Sequence, residues 1–120
     1  MEHIMNSNDD KLAPVFRGHG DDGYVEMAPG IRRRTLAHGE RTLIASFTLD
    51  AGSRIPEHSH TEEQTGFLVS GFMTFHFGGE AHETQPGDSW SIPGGVAHSV
   101  DVHEDSVAVE VFAPVRKDYL

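Results

Sequence analysis

The sequence predicts an all-β domain, a sandwich or barrel, on three observations. Short runs rich in β-branched and aromatic residues recur along the chain, residues with a chemical reason to bend the backbone separate them, and no segment sustains a 3.6-residue apolar period over ten or more positions. The runs Thr42–Leu49, Gly66–Val69, Phe72–Phe77, Ser89–Ile92, Ala97–Val100 and Val107–Phe112 are each expected to form a strand. Between them stand Asp50-Ala51-Gly52, Ser70-Gly71, Gly78-Gly79, Pro86-Gly87-Asp88, Pro93-Gly94-Gly95 and His103-Glu104-Asp105, all read as turns. Residues 1–12 are polar and acidic without a period and read as a mobile tail, which leaves residues 13–120 as a single domain.

Composition narrows the function. Nine Lys and Arg against nineteen Asp and Glu give a net charge of −10, the wrong sign for a polyanionic partner, so neither nucleic acid nor an anionic membrane surface is expected. Cysteine is absent, which removes disulfides, thiolate nucleophiles and Cys-held zinc. A metal would have to be held by His, carboxylate or amide side chains. The start of the chain has neither the basic end nor the apolar middle of a signal peptide, and no run reaches the roughly 18 apolar residues of a membrane span, so a cytoplasmic protein is expected.

Nine histidines say little by number. Spacing says more. His58 and His60 flank Ser59, and residues two apart on a strand share a face, so both imidazoles can address one ion. They sit in a longer frame: Gly52, five residues, His58, one residue, His60, three residues, Gln64, six residues, Gly71; then Gly87, five residues, Pro93, one residue, Gly95, two residues, His98.

In this frame the chain resembles the small single-domain cupins, whose two motifs are G-x5-H-x-H-x3-E-x6-G and G-x5-P-x-G-x2-H-x3-N. Gly52, His58, His60, Gly71, Gly87, Pro93, Gly95 and His98 match; Gln64 stands in place of Glu, and Val102 in place of Asn. The resemblance implies a double-stranded β-helix, the RmlC-like jelly-roll barrel. It also implies one divalent transition metal (Ni, Zn, Mn or Fe) held inside the barrel by His58, His60, Gln64 and His98. A homodimer is expected, because open sheet edges in so small a barrel need covering. Gln64 can ligate through its amide oxygen but brings no charge, so a bound ion would keep its full +2 and attract anions more strongly. Alternatively, Gln64 only hydrogen-bonds near the site, while Glu62 or Glu63 faces solvent or substitutes as ligand.

The segment from His58 to Gln64, together with the ending from Glu110 to Leu120, is similar to a bacterial cupin subgroup of pectin and alginate breakdown that converts 4,5-unsaturated monouronates to linear keto forms. That resemblance implies catalytic roles for Glu110 and Arg116 and a pocket role for Phe112, with Glu110 one methylene longer than the subgroup's Asp. Strand parity puts Glu110 and Phe112 on one face and Val107, Val109 and Val111 on the other, and it opposes Arg33 to Arg32 and Arg34. The expected ligand is a small anionic molecule, a sugar acid. Two other activities fit a three-histidine site: an Fe(II)-dependent dioxygenase, and a non-catalytic binding or sensing module. His3, His19, His38, His82 and His103 are expected at the surface, Trp90 and Phe67 in the core, and His76 on either face.

Overall fold

Eight strands and a terminal 3-10 helix form the part of the chain that the computed structural model describes, residues 12–120. The strands are β1 (Tyr24–Ala28), β2 (Ile31–His38), β3 (Leu43–Leu49), β4 (Arg54–His58), β5 (Glu63–Phe77), β6 (Glu80–Thr84), β7 (Ser89–Ile92) and β8 (His98–Ala113); the helix is Lys117–Tyr119. All pair antiparallel, in the order β1-β2-β3-β8-β5-β6, with β4 beside β8 and β7 beside β5. This is the expected all-β jelly roll. Among the described residues no helix is long and apolar enough to cross a membrane. The expected tail lies outside the described residues apart from Leu12.

β3 shows why these segments are strands. Leu43, Ala45, Phe47 and Leu49 are buried while Ile44, Ser46 and Thr48 are half-buried, the period of two that gives a sheet one core face. The same face of the other strands adds Ile31, Leu68, Met73, Phe75, Ile92, Val100, Val102, Ala108 and Phe112.

Two expected turns are instead irregularities within long strands. Ser70-Gly71 lies inside β5 and His103-Glu104-Asp105 inside β8, and the two stretches face each other: Ser70 pairs with Val107 and Phe72 with Glu104, with register shifts from Leu68 to Met73. Gly71 has φ of 100°, and a Cβ there would strike the Ser106 side chain and the Asp105 carbonyl. The shift changes the inward set of β5 from Gln64, Gly66 and Leu68 to Met73 and Phe75. Turn chemistry was present in the sequence, but here it serves a bulge.

Strands β1, β2, β4 and β6 have no strand pattern of their own. β6 is exposed and polar up to Thr84, β4 contains Pro56, and β2 carries three consecutive arginines. Their ladder partners hold them in place. On β2, Arg33 turns inward, Arg32 pairs with Asp50 at 2.8 Å, and Arg34 is covered by the preceding segment, where its Nε donates to the Asp22 carbonyl at 2.8 Å.

Candidate metal centre

His58 ends β4, His60 lies in the link that follows, Gln64 is the second residue of β5, and His98 opens β8. Strand pairing sets His58 directly across from His98. The turn before His98 packs on the His60 link: the Gly95 amide donates to the His60 carbonyl at 2.8 Å, and a Cβ at Gly94 would strike the Thr61 carbonyl. Ring centroids are 4.2 Å apart for His58 and His98, 5.1 Å for His60 and His98, and 5.8 Å for His58 and His60. One ring nitrogen from each lies within 4.8 Å of the others.

Each Nδ1 is engaged by a backbone carbonyl two residues away: His58 with Pro56 at 2.9 Å, His98 with Val96 at 2.9 Å, and His60 with Glu62 at 3.0 Å. An imidazole that donates from Nδ1 presents a lone pair on Nε2, and such outer hydrogen bonds are how metal-binding histidines are oriented. His98 Nε2 is buried without a partner. Burial, with smaller effects from His58 and His60, lowers the His98 pKa against the opposing Val96 hydrogen bond and so favours the neutral, ligating form. A buried acceptor left open among three convergent imidazoles fits a divalent metal, and the donor set of imidazoles and an amide oxygen suits Ni, Zn, Mn or Fe.

Gln64 is buried beside this cluster with its Oε1 2.9 Å from His60 Nε2. Its Nε2 donates to Glu110 Oε2 at 2.5 Å, and Trp90 Nε1 donates to Glu110 Oε1 at 2.8 Å. Glu62 sits on the far side of His60, its carboxylate 3.6 Å from Nδ1, and Glu63 is exposed. Burial pushes Glu110 up to about 8, although both hydrogen bonds act to lower it.

A cavity of about 280 Å³ opens from the imidazoles, lined by His58, Gln64, His98, Glu110, Phe112, Arg116 and Tyr119 and otherwise mostly by apolar side chains. Phe112 lies edge-on to His60 with centroids 5.7 Å apart. Arg116 is the extended residue just before the 3-10 helix, its guanidinium carbon 5.4 Å from the Phe112 ring. Thus Glu110, Phe112 and Arg116 share one cavity with His58, His98 and Gln64. Sequence reasoning missed Tyr119, a buried aromatic in a polar tail. It also gave Trp90 no partner, although a buried indole N–H usually finds one.

The other histidines divide as follows. His19, His38, His82 and His103 are exposed, and His3 lies outside the described residues. His76 is on the outer face, because Met73 and Phe75 point inward, and it bonds Asp101 at 2.8 Å. Phe67 is 44% exposed on the outer face of β5, not in the core as expected, since Gly66 and Leu68 take the inward parity; Trp90 is buried.

Comparison with known proteins agrees with this architecture. KdgF from a Halomonas species superposes with a TM-score of 0.84 at 27% identity, covering 90% of this chain and all of that one. An RmlC-like cupin from Shewanella frigidimarina gives 0.83 at 21% identity over 92% of this chain and 99% of its own. An uncharacterized protein of Streptomyces coelicolor is 28% identical over 99 residues, 82% of this chain and 86% of that protein. The family model for the cupin domain matches residues 45–114, a span that begins in β3, ends just past β8 and includes all three histidines of the cluster, and the chain belongs to this cupin family.

Proposed function

We propose that this cupin is a metal-dependent enzyme acting on a small sugar acid, by ring opening and tautomerisation of a 4,5-unsaturated uronate to its linear keto form. The observation that carries the reading is the shared cavity: His58, His98 and Gln64 line one side of it, Glu110 and Arg116 stand on its walls, and His60 joins His58 and His98 in the imidazole cluster behind that side. The sequence resemblance to uronate-converting cupins and the likeness to KdgF support it.

A bound divalent ion supplies Lewis acidity toward carboxylate and hydroxyl oxygens. Arg116 presents a guanidinium fork suited to the substrate carboxylate. The apolar wall around Phe112 and Phe47 excludes water from the sugar ring. Opening the cyclic hemiacetal gives an aldehyde and an enol; the enol oxygen then loses a proton and the neighbouring ring-derived carbon gains one, so substrate and product contain the same atoms. Glu110, held by burial near a pKa of about 8, is placed to hand over and recover that proton.

Protein reconstituted with each candidate metal and mixed with an unsaturated monouronate tests the reading. It predicts loss of the unsaturated chromophore, a linear keto product, and a slowed reaction in Glu110→Gln. A chromophore that persists with every metal contradicts it.

A further inference from the structure

Gly66 lies between two partners. On β5 it pairs with Trp90 of β7 and with Glu110 of β8. All three residues face inward, and the indole and the carboxylate meet across the glycine. A Cβ at position 66 would strike Trp90 Nε1 and Glu110 Oε1 together. Its φ is not in the left-handed region, so contact rather than backbone conformation demands glycine.

The consequence extends to Gln64. An amide has two unlike ends, and a carboxylate oxygen that accepts a hydrogen bond selects the Nε2 end. Glu110 Oε2 does this at 2.5 Å, which turns Gln64 Oε1 toward His60 Nε2 at 2.9 Å. Trp90 supplies the donor at the other oxygen of Glu110. The hydrogen bonds therefore run from indole to carboxylate to amide, and they leave the amide oxygen and the His60 Nε2 lone pair facing each other at 2.9 Å, as two ligands of one ion would.

We propose that Trp90 is a positioning residue of the metal centre, acting through Glu110 to hold the Gln64 amide with its oxygen toward the three imidazoles. The inference rests on the metal-centre part of the proposed function and is independent of the substrate.

Zn²⁺ affinity, measured by competition with a chromophoric chelator on metal-stripped, tag-free protein, tests it in four forms: wild type, Trp90→Phe, Gln64→Ala and the double variant. Trp90→Phe keeps an aromatic ring and removes the N–H. Outer-layer partners of metal ligands typically contribute about 10- to 100-fold in affinity, and Trp90 acts one step further out, so a loss of about 3- to 10-fold is expected. In the Gln64→Ala background the same substitution should cost nothing, because the ligand through which it acts is gone. Equal losses in both backgrounds, or none in the wild-type background, overturn the inference.

Gly66→Ala provides an independent route that retains the indole. It should lower Zn²⁺ affinity to a similar degree and shift the emission of Trp90, the only tryptophan in the chain. Unchanged emission and affinity contradict the proposed contact. Wild-type protein that binds no Zn²⁺ removes the metal centre itself, a failure told apart from the others by appearing before any substitution is made.

Discussion

Arg116 is held at the cavity by Tyr119. Its Nη1 donates to the phenol oxygen at 2.9 Å, and its guanidinium carbon lies 4.2 Å from the Tyr119 ring centroid. The tyrosine is itself fixed: Thr35 Oγ1 donates to its carbonyl at 2.6 Å, and Arg33 packs on its ring at 4.0 Å. The last turn of the chain thus completes a wall of the site from across β2.

Carboxylate binding should therefore depend on both residues, but unequally. A hydrogen bond to a charged group contributes about 1.5 to 3 kcal/mol, so Arg116→Ala should weaken binding of a uronate roughly 10- to 100-fold. Tyr119→Phe keeps the ring beneath the guanidinium and removes only one bond, so a loss of about 2- to 5-fold is expected. Calorimetric titration of metal-loaded protein measures both, and metal content should be unchanged in each variant.

Tyr119 also gives a pH signature. Burial raises its pKa above the ordinary phenol value despite the lowering effect of Arg116 and Arg33. A group whose folded-state pKa is raised contributes stability that is complete below the unfolded value near 10 and is lost as pH rises through the folded value. Between pH 9 and 11 the melting temperature of wild-type protein should fall more than that of Tyr119→Phe; parallel curves would place the phenol in contact with solvent.

Replacing Gln64 by Glu would set two buried carboxylates against each other where the amide now donates at 2.5 Å. The pair should hold a shared proton at neutral pH, and the metal-free variant should lose about 1 to 3 kcal/mol of stability. The reciprocal swap, Gln64→Glu with Glu110→Gln, should recover most of it, because an amide at position 110 can donate to position 64 and still accept from Trp90. Thermal unfolding of the metal-free forms decides this; a swap no better than the single variant contradicts the bonding order.

A homodimer is expected in solution. The pairing order leaves β1 and β6 as outer strands, and Phe67 and Val69 on the outer face of β5 are 44% and 49% exposed. Light scattering at micromolar concentration should give twice the chain mass, and a stable monomer contradicts it without touching the metal site.

The site was more legible in the sequence than the sheet around it. His58, His60, Gln64 and His98 stand out by motif spacing and by the resemblance it carries, and the fold places them together although β4 and β8 meet across 40 residues of chain. Strand parity, a local property, put Glu110 and Phe112 on one face, and both are buried there. Strands β2 and β6 were hidden because neither has the alternating apolar pattern and each is held by its neighbours. Gly66 read as an ordinary strand residue; its requirement exists only once Trp90 and Glu110 meet across it from two other strands. Phe67 was expected inside because aromatic residues usually are, and it is exposed because Gln64, Gly66 and Leu68 take the inward parity of β5.

The central claim is that His58, His60 and His98 form one metal centre, and elemental analysis of tag-free protein after reconstitution and exhaustive dialysis tests it most directly. About one divalent transition metal per chain is predicted for wild-type protein, and almost none for His58→Ala combined with His98→Ala. Wild-type protein without metal, or a double variant that retains it stoichiometrically, would contradict the claim.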